Sequence, residues 1–443
     1  MFHGGIAHRV AVVALAGSMI TAMAVSSSAI AATKHGPAHA SKGTLIVPVA
    51  NSFSGPTAAF GFTNQGGTQA AIDLVNKAGG VLGYQLKTVA VDTLGDPADA
   101  AIAMTRTLAQ YGSSVVFITG PGTVEGDSVG PIITAAKIPD LMASGSTSFD
   151  KNKSPYLFRL TSPDPELGVA MTYEAYAKGL TRVAMVFANT ADSQTEVPGI
   201  AAAAKHWHLK IVNDTALVTG QTAYQSEVQK IIASKPTALL TELDPATSAT
   251  FWGQYKLLSK GHMPVMISTT AAYEAGWLST MQKVLGVPYL KKDLVIVGPY
   301  AASSGLAFNI WSGAVNNLAS EFNSYKATII PNGNKQADYD FATIASLAML
   351  EAKSIVPTKI DKFIKKVVEP SPGAVVVHSF AAGKKALAQG KTIQYIGVTG
   401  PVVFNKYNNS PTGFVVHRWS ASGTPTKGTV LDKSLFGDVV IPN

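Results

Sequence analysis

The chain has no cysteine among its 443 residues. Disulfides, zinc–thiolate centres and cysteine nucleophiles are therefore excluded, and so is anchoring through a lipid-modified N-terminal cysteine. Charge is also scarce. Lys, Arg, Asp and Glu make up 14% of the residues, and the net charge of +8 is spread thinly, with Lys365-Lys366 and Lys384-Lys385 as the densest basic pairs. Nucleic-acid surfaces gather Lys and Arg into a patch or stripe, so no nucleic-acid partner is expected. Long apolar runs are missing except near the start. Val10 to Val25 is about 16 residues, short of the ~20 that a membrane span needs. It follows His8 and Arg9 and leads through Ser26, Ser27 and Ser28 to Ala29, Ile30 and Ala31, an A-x-A cleavage pattern. Residues 1–31 read as a removable export signal, which places the mature protein in the periplasm or at the cell surface. Residues 32–43 read as a flexible tether.

What is present is apolar substance arranged in alternating units. Hydrophobic residues are 47% of the chain. At roughly 100–200 residues per domain, the length allows two or three domains with sizeable cores. The organising stretch is Thr44 to Gly61, TLIVPVANSFSGPTAAFG. Leu45 to Ala50 suits a strand buried on both faces. Asn51 to Thr57 supplies turn and cap chemistry, and a helix follows. Strands are expected at 86–91, 115–118 and 141–143, with helices at 64–78, 98–111 and 128–136 between them. The same alternation resumes with strands at 182–187, 209–212, 238–243 and 264–268 and helices at 198–207, 224–234 and 247–258. Strand–helix alternation with short joins predicts doubly wound parallel sheets. Helices are expected at 309–325, 339–356 and 360–368. Between Gly400 and Trp419, Val402 to Phe404 and Phe414 to Val416 flank a turn-rich stretch, which reads as a β-hairpin.

Few motifs carry chemistry. Gly120 to Gly126 (GPGTVEG) follows a strand and precedes a helix. It admits two readings: a dinucleotide fingerprint, or a helix N-terminus whose backbone N–H groups suit an anion. Ser144 to Thr147 (SGST) lies at a strand's end, where it either offers donors to a ligand carboxylate or caps a helix. Ser54 and Ser146 are conceivable nucleophiles, but no histidine stands in a recognisable partner position. Glu242 and Asp244 bracket Leu243, and strand alternation points them apart. Asp338 and Asp340 flank Tyr339 at a helix start, where carboxylates favour the dipole. No H-E-x-x-H, P-loop or EF-hand pattern occurs. No cofactor, metal site or catalytic residue is expected.

Four stretches carry a resemblance. They are Ser54 to Gly61 (SGPTAAFG), Asn76 to Gly83 (NKAGGVLG), Asp92 to Pro97 (DTLGDP), and Ile396 to Phe404 (IGVTGPVVF) with Pro411 to Gly413 (PTG). In order and spacing the chain resembles the type I periplasmic substrate-binding proteins of ABC transporters, the Leu/Ile/Val-binding group, over residues 44–420. That resemblance implies two α/β lobes joined by three crossovers near Thr161, Pro299 and Gly400. Lobe 1 would be 44–160 with 300–399, and lobe 2 would be 161–299 with 400–443. It further implies a monomer that closes on a small molecule and delivers it to an ABC permease, without catalysis. The family's carboxylate-binding loop falls on Gly145, Ser146 and Thr147, a second contact loop on Gly122 and Thr123, and two aromatics on Phe60 and Tyr339. Lobe 2 departs from the pattern. Where amino-acid binders place Tyr-Gly, this chain has Asp192 and Ser193. Where they place an ammonium-binding acid, it has Thr269 and Thr270, which leaves Asp192 or Asp244 for an ammonium. An amino acid, amide or small carboxylate is the expected ligand class. A ligand sensor of the same fold, or a nicotinamide-dependent enzyme, are the rival functions.

Overall fold

The computed structural model describes residues 41–54, 58–273, 276–322, 333–420, 426 and 428–441. The expected export signal, most of the tether, and the end of the helix expected at 309–325 lie outside the described residues.

The first sheet contains β1 (Thr44–Asn51), β2 (Gln85–Asp92), β3 (Ile118–Thr119), β4 (Asp140–Met142) and β5 (Leu157–Arg159). Its order is β2-β1-β3-β4-β5, with every pair parallel. Helices α1 (Ala58–Lys77), α2 (Pro97–Tyr111) and α3 (Thr123–Ala136) make the crossovers. Strand alternation sends successive β1 side chains to opposite faces. Leu45 and Val47 join one core cluster, Ile46 and Ala50 another. That two-sided burial is why β1 reads as an unbroken apolar run rather than an alternating one.

The second sheet begins after α4 (Asp164–Ala177). It contains β6 (Arg182–Ala188), β7 (Lys210–Leu217), β8 (Ala238–Glu242), β9 (Val265–Ser268) and β10 (Leu294–Pro299). Helices α5 (Val197–His206), α6 (Gln225–Ala233), α7 (Pro245–Leu258), α8 (Trp277–Val284) and α9 (Val287–Asp293) connect them. Leu239, Leu294 and Ile296 bury on one face, and Leu240, Val295 and Val297 on the other.

The chain then returns to the first sheet. Helices α10 (Leu306–Asn316), α11 (Gly333–Ala352), α12 (Pro357–Val368) and α13 (Phe380–Ala388) follow, with a two-stranded parallel pair, β11 (Val375–Val377) and β12 (Ile393–Tyr395). Trp311, Phe341, Ile364, Phe380 and Tyr395 share one core with Leu45 and Val47. The expected hairpin does not form. Val402 to Phe404 is irregular, and Val403 N donates to Ser410 Oγ at 3.1 Å. β13 (Phe414–Arg418) instead adds to the second sheet, antiparallel to β10 and to β14 (Thr429–Leu431). The apolar alternation at 414–416 was satisfied by a distant strand, which turn chemistry between 405 and 413 does not reveal.

Three segments cross between the sheets, and they are bonded to one another. Ser162 Oγ donates to Thr412 O at 2.7 Å, Tyr300 N to Gly413 O at 2.7 Å, and Ala302 N to Val398 O at 2.9 Å. No helix among the described residues is long and apolar enough to cross a membrane.

Candidate ligand-binding site

Parallel strands bring loops of similar make-up to one edge of each sheet, the carboxyl edge. At the first sheet these loops close on carboxylates of the chain itself. After β1, Phe53 N and Ser54 Oγ donate to Asp92 at 2.8 and 2.6 Å. Burial opposes the Asp92 charge, but the Ser54 hydroxyl and the Phe53, Leu94 and Ser54 amides hold its pKa below the usual range. After β4, Ser146 Oγ donates to Asp127 Oδ1 at 3.3 Å, and Ser148 donates to the same oxygen. Ser146 Oγ also accepts from Ser148 N and so caps a short 3₁₀ turn, the capping alternative of the two. Thr123 opens α3 and accepts from Gly145 N at 2.9 Å.

Thr123 also donates, at 3.2 Å, to Asp164 Oδ2. Asp164 opens α4, and Thr195 Oγ1, from the loop after β6, reaches the same oxygen at 2.9 Å. Asp164 thus joins the loops of both sheet edges. Gly145 is tightly matched to it: a Cβ there would lie 1.6 Å from Asp164 Oδ1. Only a residue without a side chain lets the carboxyl lie against the loop backbone. Burial raises the Asp164 pKa to about 6; bonds from Thr195 and Thr123 oppose the rise and the Glu242 charge adds to it.

The second sheet edge is richer in acid than the sequence suggested. Glu242 ends β8 and accepts from Ser193 Oγ at 2.8 Å and from Thr269 Oγ1 at 2.6 Å. Ser193 and Thr269 are two of the positions where this chain departs from the amino-acid-binding pattern. Both of these residues thus bond to a carboxyl on the strand beside β9. Burial pushes the Glu242 pKa up against these two bonds. Glu196 is 4% exposed. Burial first, then Glu242, Asp164 and Asp192, raise its pKa well above the usual range.

The structure therefore brings together Thr123, Gly145, Asp192 and Thr269 of the expected residues, with Ser146 and Thr147 on the adjoining turn. Gly122 is the N-cap of α3, without a side-chain bond. Asp244 is elsewhere engaged. Its Oδ1 accepts from Ala246 N and Thr247 N at 2.9 and 3.0 Å and caps α7, so it does not point to the cluster. Strand alternation does not decide this, because β8 ends at Glu242 and Asp244 lies beyond it. Tyr339 is 1% exposed within the first sheet's core rather than an open wall. Phe60 lies on α1, and its side chain is outside the described residues. Sequence reading missed Asp164, Glu196 and the role of Glu242. The available signal for Glu242 was its place as the last residue of an apolar strand; Asp164 and Glu196 stand at helix starts, where an acid reads as ordinary dipole chemistry.

Two further features bear on chemistry. Gly126 to Gly130 (GDSVG) has G-x-S-x-G spacing, but Ser128 lies inside α3 and donates to Glu125 O at 3.0 Å, not on a strand-to-helix elbow. A cavity of about 150 Å³ opens among the crossing segments, lined by Leu160, Tyr300, Thr399, Val402 and Thr412 among others. None of the expected site residues lines it.

Comparison with known proteins agrees with this architecture. A family model described as periplasmic binding protein matches residues 44–413. A Leu/Ile/Val-binding protein of Rhizobium johnstonii is 34% identical over 79 residues, a stretch that is 18% of this chain and only 20% of that relative. Two solved structures are similar in fold. One is the branched-chain amino acid transporter substrate-binding protein of Streptococcus pneumoniae in complex with isoleucine, 18% identical, with a TM-score of 0.67 over 88% of this chain and 99% of that one. The other is a solute-binding protein of R. palustris in complex with 4-hydroxybenzoate, 18% identical, with a TM-score of 0.67 over 89% of this chain and 99% of that one.

Proposed function

The chain belongs to the periplasmic binding protein family, and from that premise we propose that it is an exported receptor that captures a small solute and delivers it to an ABC permease. The observation that carries this reading is the meeting of polar loops from both sheet edges at Asp164, bonded to Thr123 on one side and Thr195 on the other. Converging donors and acceptors at strand ends, between two rigid sheets, suit a small polar ligand. In this reading the sheets are the cores of two lobes, 44–160 with 300–399 and 161–299 with 400–443. The hinge is the bonded trio of crossing segments near Thr161, Pro299 and Gly400. A ligand that bonds to both edges favours the closed arrangement by its differential affinity for it. The contact groups are Thr123, Gly145, Ser146 and Thr147 from the first edge, and Asp192, Ser193, Glu242 and Thr269 from the second. Catalysis is not part of this reading: the Ser54 hydroxyl is bonded to Asp92 and the Ser146 hydroxyl to Asp127, and neither is bonded to a histidine.

The test is calorimetry of the mature chain against amino acids, amines, amides and small carboxylates, joined to small-angle scattering. Binding with a fall in radius of gyration is the expected result. Turnover of a bound compound, or an unchanged scattering curve with every binder, overturns the reading. Neighbouring permease and ATPase genes would separate transport from sensing by the same fold.

A further inference from the structure

We propose a second binding site, among the three crossing segments, for a small uncharged molecule with an apolar body and one hydrogen-bonding group. It lies apart from the loops assigned to solute capture and does not rest on that reading.

The cavity among these segments takes its walls from every crossing. Leu160 belongs to the first, Tyr300 to the second, and Pro401, Val402, Pro411 and Thr412 to the third. The segments are tied together beside it, by Ser162 Oγ donating to Thr412 O and Tyr300 N donating to Gly413 O, each at 2.7 Å. Bonded backbone therefore frames the space. Its volume is about 150 Å³, enough for a molecule the size of benzene.

The walls select among molecules of that size. No charged side chain lines the cavity, so an ion would sit there without a counter-charge, at high cost. Leu160, Val402, the two prolines and the Tyr300 ring supply apolar surface. The hydroxyls are not equivalent. Thr399 Oγ1 is spent on Asp340 Oδ2, to which it donates at 2.5 Å, and Ser410 Oγ accepts from Val403 N at 3.1 Å. Thr412 Oγ1 is buried and, among the described residues, has no hydrogen-bond partner. A buried hydroxyl left unmatched is costly, and native structures leave few of them so. It is the independent sign of an occupant.

Water completes Thr412 poorly. A well-held buried water makes about three hydrogen bonds, and most of this wall offers none. Replacing a poorly held water with an apolar group gains affinity. A molecule that lays an apolar ring against Leu160, Val402 and the prolines and turns one hydroxyl to Thr412 meets both needs. Once bound, it braces the segments that it touches.

The test probes the mature chain with phenol, benzene and butyrate, using calorimetry for affinity and amide hydrogen exchange for location. Phenol is expected to bind about two- to tenfold more tightly than benzene, the worth of a neutral hydrogen bond. It is expected to slow exchange at the Tyr300 and Ala302 amides, which donate to Gly413 O and Val398 O across the crossings. Butyrate, smaller than phenol but charged, is expected to leave those amides unchanged. Thr412→Val keeps the shape and removes the hydroxyl. It is expected to lower phenol to the affinity of benzene, to leave benzene unmoved, and to unfold at or above the parent's midpoint. Val402→Phe fills the space and is expected to abolish binding of both; Thr412→Val carries the test if the larger residue prevents folding. Phenol that fails to bind, that protects the loops at Thr123 and Gly145 instead of the crossings, or that binds folded Thr412→Val as tightly as the parent overturns the inference. So does butyrate protecting the crossings as well as phenol does. Solute capture stands or falls separately, on its own panel.

Discussion

At the scale of single residues, Asp164 controls how the acidic cluster responds to pH. Its ordinary pKa of 3.8 rises to about 6 in the folded chain. Between those values the folded form keeps a proton that the unfolded form has released. The Asp164 contribution to the stability of the ligand-free protein therefore falls as pH rises through that window. Glu196 and Glu242 are raised as well and steepen the loss. Asp164→Asn keeps an oxygen for Thr123 and Thr195 but cannot ionise. It is expected to match the parent near pH 4 and to be the more stable of the two above pH 6, as read by urea unfolding across the range. Gly145→Ala makes the complementary point about space. Its Cβ has no room beside Asp164; overpacking of this kind costs about 1–3 kcal/mol, and a lowered urea midpoint is the expected outcome. An unchanged midpoint would mean that the loop and Asp164 separate freely.

At the scale of elements, two aspartates do different work, and neither stands where the sequence placed it. Asp244, read as a strand end, is a helix cap, and Asp340, read at a helix start, lies about two turns inside α11, which begins at Gly333. Asp244 caps α7 through Ala246 N and Thr247 N. Asp244→Ala is expected to cost about 1 kcal/mol of stability, the usual worth of a cap, with ligand affinity close to the parent's. A large loss of affinity would return Asp244 to the site. Asp340, on α11, is buried and accepts from Tyr395 Oη at 2.6 Å, Val398 N at 3.2 Å, and Thr399 N and Oγ1 at 2.8 and 2.5 Å. Gly397 packs against it so closely that a Cβ would lie 2.0 Å from its Oδ1. Asp340 therefore ties the last crossing segment to the first sheet's core. Asp340→Ala leaves several buried donors unmatched and is expected to cost about 3 kcal/mol or more, seen as a lower denaturant midpoint.

At the scale of the whole molecule, the proposed binding at the meeting of two sheet edges would couple affinity to stability. A solute held by groups from both sheets protects the folded chain by RT ln(1 + [L]/Kd), about 2.7 kcal/mol at a hundredfold excess over Kd. The thermal midpoint is expected to climb with each rise in concentration of a true ligand, together with a smaller radius of gyration. A midpoint that climbs with no change in dimensions would place the ligand on one sheet alone. The family comparisons bear on this scale only: they show the fold, while the ligands of the similar structures range from isoleucine to 4-hydroxybenzoate.

Alone, the order of residues determined the strand–helix alternation, the two-faced burial of β1, the absence of thiol chemistry, and the loops at 122–123 and 145–147. These follow from local propensity and periodicity, which act over a few residues. It did not determine that β13 leaves Val402 to Phe404 to pair with β10, since register between strands more than a hundred residues apart depends on which edge is vacant. Nor did it show that Ser193 and Thr269 bond to Glu242, that the Asp164 carboxyl lies against Gly145, or that Glu196 is buried beside both acids. Those contacts join residues from separate loops, and only the packing of one sheet edge against another brings their charges within reach.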